Sequence, residues 1–317
     1  MNFNWQIRTL KDWRDLYSQA TQQNWMQTWA YAQASLATDH LRSRLGVIEQ
    51  NGQVIGVLCI QEIKLGPIHI VNLKRGPLWF SPPTAEAFIE FASAFRNEFP
   101  KSLFQRLRWL PEFEIQEANK TEVVEKLNKI GFKLRKENFV TSWIDLNQSA
   151  EQLRKNTEQK WRNCLNKAEK SNLTIKHEER LQDKNLFFTN YQKHLQSKKY
   201  HGPSQNFLRI EFSELEKTND IFYLWAFHGA EPIACVVITV HGNTAAYRMG
   251  WNTESGRNYN AHYLLLWKAL LISKERNLKY FDIGGLLPDD APGITKFKNG
   301  LGGRESRYMI LSNNSFK

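Results

Sequence analysis

The sequence predicts an α/β fold made of two similar halves, and three observations carry that prediction. Strand-like apolar segments alternate with helix-period segments along all 317 residues. Hairpin signals recur at corresponding places in both halves, and the chain is longer than the roughly 100–200 residues of an average domain.

The first half opens with helical segments over 10–20 and 27–37. Strands follow at 43–50 and 54–64, separated by Asn51-Gly52, a dipeptide suited to a two-residue hairpin because both residues tolerate positive φ. A third strand at 68–73 runs into Arg75-Gly76-Pro77; then come a helix at 84–97, a strand at 104–110, a helix at 120–130 and a strand at 139–146. The second half repeats this order. A long charged helix over 148–171 leads to a strand at 173–177 and helices at 183–197 and 206–217. A hairpin at 221–228 and 232–241 turns through Gly229-Ala230-Glu231, and a strand at 244–249, a helix at 261–276, a strand at 279–283 and a final strand at 307–312 complete the chain. The repeated order reads as a structural duplication without obvious sequence identity. It places mixed sheets flanked by helices in both halves and the seam close to Asn147, giving domains 1–147 and 148–317.

Composition narrows the class. A hydrophobic fraction of 41% with 19 Phe and 11 Trp is enough to build cores and excludes a disordered chain. A net charge of +11 favours polyanions such as RNA, nucleotide diphosphates or an anionic membrane surface, without choosing among them. Cys59, Cys164 and Cys235 lack metal spacing, and Cys59 and Cys235 sit in apolar runs as small buried hydrophobes. No metal is expected. The N-terminus lacks a signal-peptide pattern and no apolar run approaches the ~20 residues of a membrane span. The expectation is a cytoplasmic protein with no integral membrane segment, peripheral at the membrane surface at most.

The most specific chemistry lies near the C-terminus. Phe281-Asp282-Ile283-Gly284-Gly285 is followed by a Pro/Asp-rich loop and then by the Gly293 to Gly303 segment, which contains Phe297-Lys298 and Gly300-Leu301-Gly302-Gly303. With two earlier regions it resembles the Fem family of aminoacyl-tRNA-dependent peptidyltransferases. Trp25-Met26-Gln27-Thr28-Trp29 is similar to the family's Q-s/t-x-x-W start and Lys74-Arg75-Gly76-Pro77 to its R-G-P turn. Lys160-Trp161-Arg162-Asn163-Cys164-Leu165-Asn166-Lys167-Ala168-Glu169-Lys170 resembles its K-x-R-N-x-I-x-K-A-x-K helix.

The resemblance implies two tandem acyl-CoA N-acyltransferase (GNAT)-like domains. It further implies transfer of an amino acid from aminoacyl-tRNA to an amine of a peptidoglycan or other cell-envelope precursor, nucleotide- or lipid-linked, with a role in cell-wall biogenesis and cell shape. No cofactor is expected. The chain departs from the family where many members carry an acidic residue and Leu110 stands here, and the 147–173 stretch has room for one helix only, without the helical arm some members insert.

An aminoacyl ester is already activated, so the barrier lies in orienting an amine and stabilising an oxyanion. Lys298 is the leading oxyanion donor, against a solvated surface lysine. Asp282 would orient that lysine or a backbone turn. Gly284 and Gly285 allow a ligand close to the main chain, and Phe297 and Tyr247 belong to the same substrate group. Arg248, Arg257 and Arg75 could hold a diphosphate; plain salt bridges, and for Arg75 a turn with a solvated head, are the alternatives. Lys160, Arg162, Lys167 and Lys170 form a stripe for the tRNA backbone or, equally, a solvated helix face. His194, His201, His228, His241 and His262 show no catalytic spacing.

Two rival functions remain open. One is an N-acyltransferase using an acyl-CoA or acyl-carrier donor on an amino sugar of a surface polysaccharide, against which the missing phosphate loop argues. The other is a non-catalytic RNA- or envelope-binding protein.

Overall fold

The computed structural model of the protein describes residues 1–7, 9–39, 41–99, 104–114, 117–198, 202–286 and 291–313. The described residues fall into two units, Met1–Phe139 with Arg307–Lys317, and Val140–Ser306. Each unit contains antiparallel strands and a parallel pair, flanked by helices, as the alternating pattern requires.

In the first unit β1 (Asn2–Asn4), α1 (Leu10–Tyr17) and α2 (Trp29–Asp39) precede the hairpin of β2 (Arg42–Gln50) and β3 (Gln53–Leu65). Gln50 lies opposite Gln53, and Asn51 and Gly52 take φ of 52° and 78°, the turn geometry the dipeptide predicts. β4 (Ile68–Lys74) and β5 (Leu78–Trp79) both pair with β3. α3 (Ala85–Glu98), capped by Thr84, then crosses so that β6 (Gln105–Leu110) runs parallel to β4. Its Phe88, Phe91, Ala92 and Phe95, at helical spacing, bury against Leu58, Ile60, Val71, Leu73 and Trp109 of the strands. α4 (Glu117–Ile130) leads into β7 (Lys133–Asp145), and the last strand, β13 (Arg304–Ser312), returns antiparallel to β6 with Leu311 opposite Trp109.

The chain passes from the first unit to the second inside β7, and the far half of β13 belongs with the first because it pairs with β6. This differs from a single seam near Asn147. β7 also begins six positions earlier than the strand expected from residue 139, at Lys133.

The second unit begins with α5 (Ala150–Asn156) and α6 (Gln159–Glu169), where one continuous helix over 148–171 was expected. The break is at Thr157, whose ψ of 144° is extended, and the Glu158 N–H donates to the Gly300 carbonyl at 2.9 Å instead of to the helix ladder. β8 (Leu173–Glu178), α7 (Lys184–Lys198) and α8 (Gln205–Lys217) follow. β9 (Ile221–His228) and β10 (Glu231–His241) form the expected hairpin, but His228 pairs with Glu231, so Glu231 starts the strand instead of sitting in the turn. β11 (Thr244–Asn252) pairs with β10, and α9 (Glu254–Asn258) and α10 (Ala261–Glu275) then cross to β12 (Tyr280–Asp282). β12 lies parallel to β11 and antiparallel to β7. α10 buries Leu264, Leu265, Leu266, Ala269 and Leu270 in a core shared with Trp161 and Leu165 of α6 and Val236 of β10. α11 (Pro292–Asn299) was not expected as a helix: it is short and flanked by Gly300, and Pro292 opens it with a pre-set φ.

Candidate active site

The site is built where two parallel strands separate. β11 and β12 pair only through Thr244–Tyr280, Ala245–Phe281 and Ala246–Asp282. β11 then runs on to Asn252, while the chain leaves β12 and turns at Gly284, whose φ is 80°. A cavity of about 310 Å³ opens along the unpaired edge of β11, lined by Tyr247, Arg248, Met249 and Gly250, with Gly285, Phe297 and Lys298 across from them. Arg248 is the extra residue of a β-bulge, since Val237 pairs with Met249 and Ile238 with Tyr247. A bulge re-aims its side chain, and this one presents Arg248 to the cavity wall.

Lys298 sits in the last turn of α11. Its ammonium donates to the Gly285 carbonyl at 2.8 Å and lies 5.6 Å from the centre of the Tyr247 ring. Burial lowers its pKa to about 8, with the Asp282 carboxylate opposing that shift. Asp282 is itself fully buried and accepts from the Thr141 hydroxyl at 2.6 Å and the Gly284 N–H at 2.8 Å. It thus holds the turn and biases the lysine toward its charged form. Its contact with the turn is a hydrogen bond, and its effect on the lysine is electrostatic.

Gly284 is required by space as well as by φ. A Cβ there would lie 3.2 Å from the Tyr247 carbonyl oxygen and 3.5 Å from Lys298 Nζ. Gly284→Ala is therefore expected to cost about 1–2 kcal/mol from the left-handed backbone, read as a lowered midpoint in urea, and to displace the lysine.

The cationic residues divide. Arg248 Nε contacts both Glu211 oxygens, at 3.2 and 3.1 Å, and its Nη2 is 3.0 Å from Oε2, in a pair whose side chains are 5% and 1% exposed. Its charge is largely spent on Glu211, which makes it a wall of the cavity. Truncating the carboxylate in Glu211→Ala should destabilise by about 3–5 kcal/mol in equilibrium denaturation. Arg257, exposed at the same cavity, has only a backbone contact to the Asn252 carbonyl at 3.3 Å and makes no ion pair among the described residues. It is the arginine with charge to offer an anion.

Arg75 belongs to the first unit and not to this cavity. It is fully buried, ion-paired to Glu112, and its guanidinium carbon lies 5.4 Å from the centre of the Phe139 ring. Its own backbone carbonyl accepts from Asn24. Its backbone takes a turn, with φ of 49°, but its head group is buried and paired instead of solvated.

Of the α6 stripe, Lys160 lines a second cavity of about 200 Å³ with Lys296, Trp161, Tyr263 and Phe297. Lys167 and Lys170 are exposed. Arg162 donates to the Thr157 carbonyl at 2.9 Å, closing the end of α5. The Pro/Asp-rich loop at 287–290 and His201 lie outside the described residues.

Three residues have roles that the sequence reading did not assign. His262 lines the main cavity, donates from Nε2 to the Trp251 carbonyl at 2.9 Å, and is pushed by burial to a pKa of about 4, so it is neutral at pH 7. Glu211 had a readable signal: a carboxylate in the Phe207, Leu208, Phe212 and Leu215 stripe of α8 must be paired to be there. Trp161 had the apolar spacing of Trp161, Leu165 and Ala168 inside a charged helix.

Residues 152–299 match the family model of the acetyltransferase (GNAT) domain. No curated protein sequence matches the chain. Among solved structures, FemX superposes with a TM-score of 0.77 at 12% identity, covering 98% of this chain and 97% of that one. The C-terminal domain of a putative lysylphosphatidylglycerol synthetase from Agrobacterium fabrum gives 0.54 at 11% identity, over 97% and 93% of the two chains. A tandem GNAT protein from the clavulanic acid biosynthesis pathway gives 0.51 at 12%, over 98% and 96%. The fold is thus the tandem GNAT-like fold, and the match to the acetyltransferase (GNAT) domain model lies within the second unit.

Proposed function

We propose that the protein transfers an aminoacyl group from tRNA to an amine of a peptidoglycan or other cell-envelope precursor, acting in the cytoplasm. The observation that carries this reading is Lys298: a desolvated ammonium in a cavity beside the edge of β11. The amine nitrogen attacks the ester carbonyl and forms a C–N bond. The carbonyl oxygen gains negative charge; as it re-forms the carbonyl, the C–O bond to the terminal ribose breaks and the proton lost by the amine ends on the departing ribose oxygen, leaving an amide and a free ribose hydroxyl. In this reading Lys298 holds the developing oxyanion, a contact commonly worth about 3 kcal/mol.

Arg257 suits a phosphate of the precursor, and the Lys160 and Lys296 cavity on the other side of Phe297 suits the polyanionic donor. The likeness to FemX and to a domain of a putative lysylphosphatidylglycerol synthetase supports an envelope substrate. No helix among the described residues is long and apolar enough to cross a membrane.

The GNAT-domain match favours a second reading, in which acyl-CoA is the donor. One experiment separates them: transfer of radiolabel from a mixed aminoacyl-tRNA pool into RNase-resistant precursor, with labelled acetyl-CoA in parallel and Lys298→Ala as control. Transfer from tRNA that Lys298→Ala abolishes supports the first reading. Label arriving from acetyl-CoA alone supports the second, and label from neither returns the protein to a binding role.

A further inference from the structure

Lys298 can act only where α11 holds it, and α11 is a short helix whose end must be closed from outside. The last carbonyls of a helix have no partner within it. Here the Gly300 N–H donates to the Lys296 carbonyl at 3.1 Å, Leu301 to Lys298 at 3.1 Å, and Gly302 to Asn299 at 3.0 Å. The carbonyl of Phe297, the residue next to the lysine, instead accepts from the Trp161 indole N–H at 3.0 Å.

The same tryptophan packs 6.5 Å from the Phe297 ring and 5.2 Å from that of Tyr263, and is 3% exposed. Gly300 fits under it: a Cβ at that position would come within 2.8 Å of the indole Cδ1. One residue pair further, the Glu158 N–H donates to the Gly300 carbonyl at 2.9 Å. The start of α6 is therefore bolted to the end of α11 through backbone and indole together.

We propose that Trp161 is a positioning residue for the acyl transfer, closing the last turn of α11 so that the Lys298 ammonium stays buried against the Gly285 carbonyl. The inference rests on the function proposed above for its chemistry, but its geometric content can be tested apart from activity. Lys298 shares its surroundings with Asp282 of β12, Tyr247 and Arg248 of β11, His262 of α10, Arg257 of α9, and Tyr191 and His194 of α7. A substitution at Trp161 alters none of these groups. A change in Lys298 titration would then report its hydration, through its position.

The test is competitive amine labelling of the full-length protein over a pH series, with Lys298 read by mass spectrometry. The wild type is expected to show half-reactivity near pH 8, the value set by burial. Trp161→Phe keeps the ring and removes the N–H donor; its Lys298 midpoint should rise by at least about one unit as the ammonium gains water. kcat for transfer should fall about tenfold with the KM for the acceptor within about twofold, the pattern of an interaction lost from the transition state.

Gly300→Ala, which pushes the indole from beneath, should produce the same upward movement and decides the matter if Trp161→Phe does not fold. An unchanged Lys298 midpoint in a folded Trp161→Phe protein would overturn the proposal. If the wild type transfers nothing from aminoacyl-tRNA, the functional reading fails, while the labelling midpoints still decide whether Trp161 positions the lysine.

Discussion

Replacing Lys298 by Met is expected to lower the transfer rate by about 10²–10³-fold, the range seen when one oxyanion donor is removed, while raising the stability of the protein. The two effects have one cause. The lysine is held in a desolvated position, where burial lowers its pKa to about 8 from 10.5. A group whose native pKa is depressed in this way binds fewer protons in the native than in the unfolded chain between those values.

The sign follows from linkage: where the unfolded state binds more protons, stability rises with pH. The wild type should therefore gain stability as pH rises through the window from about 8 to 10.5, and the Met variant should lack that gain and be the more stable protein at pH 7. As a charged donor, Lys298 also sets the direction of the rate profile, which should fall as pH rises through about 8. A rate that rises there would assign the lysine the role of base. Urea denaturation at pH 7 and pH 9.5, alongside a pH–rate profile, measures all of this.

Asp282→Ala should cost about 3–5 kcal/mol of stability, because it strands two buried donors at once. These are the Thr141 hydroxyl and the Gly284 N–H, both hydrogen-bonded to one carboxylate oxygen of a residue with no exposure. Asp282→Asn keeps an oxygen for those donors and removes only the charge, so it should remain folded. Since the Asp282 charge raises the Lys298 pKa against the effect of burial, its loss should move the midpoint below 8 and bring the fall in rate to lower pH. Equal rate profiles for wild type and Asp282→Asn would leave Asp282 a purely structural residue.

The residues singled out around Asp282-x-Gly284-Gly285 and Phe297-Lys298 meet in the fold: Tyr247, Arg248, Arg257, Gly285, Phe297 and Lys298 line one cavity, with Asp282 and Gly284 behind it. What the local sequence left undecided was the electrostatic state of each. Arg248 and Arg257 are nine residues apart and looked alike, yet one is neutralised by Glu211 at a sequence distance of 37 and the other is exposed. Arg75 looked like a ligand or a turn with a solvated head, and its partner Glu112, also 37 residues away, holds that head group buried in an ion pair.

The elements legible in the sequence are those whose determinants lie within a few residues of one another. Asn51-Gly52 dictates its hairpin by backbone φ alone, the spacing of Phe88, Phe91 and Phe95 names the buried face of α3, and the repeated order of strands and helices declares two similar α/β halves. Tertiary structure decided the rest. The charged helix breaks at Thr157 because the Glu158 N–H is drawn to the Gly300 carbonyl, and α11 is closed by a tryptophan 136 residues before it. Lys298 is an ordinary lysine in the sequence and a desolvated one in the fold, since the burial that lowers its pKa comes from segments that meet only once the chain has folded.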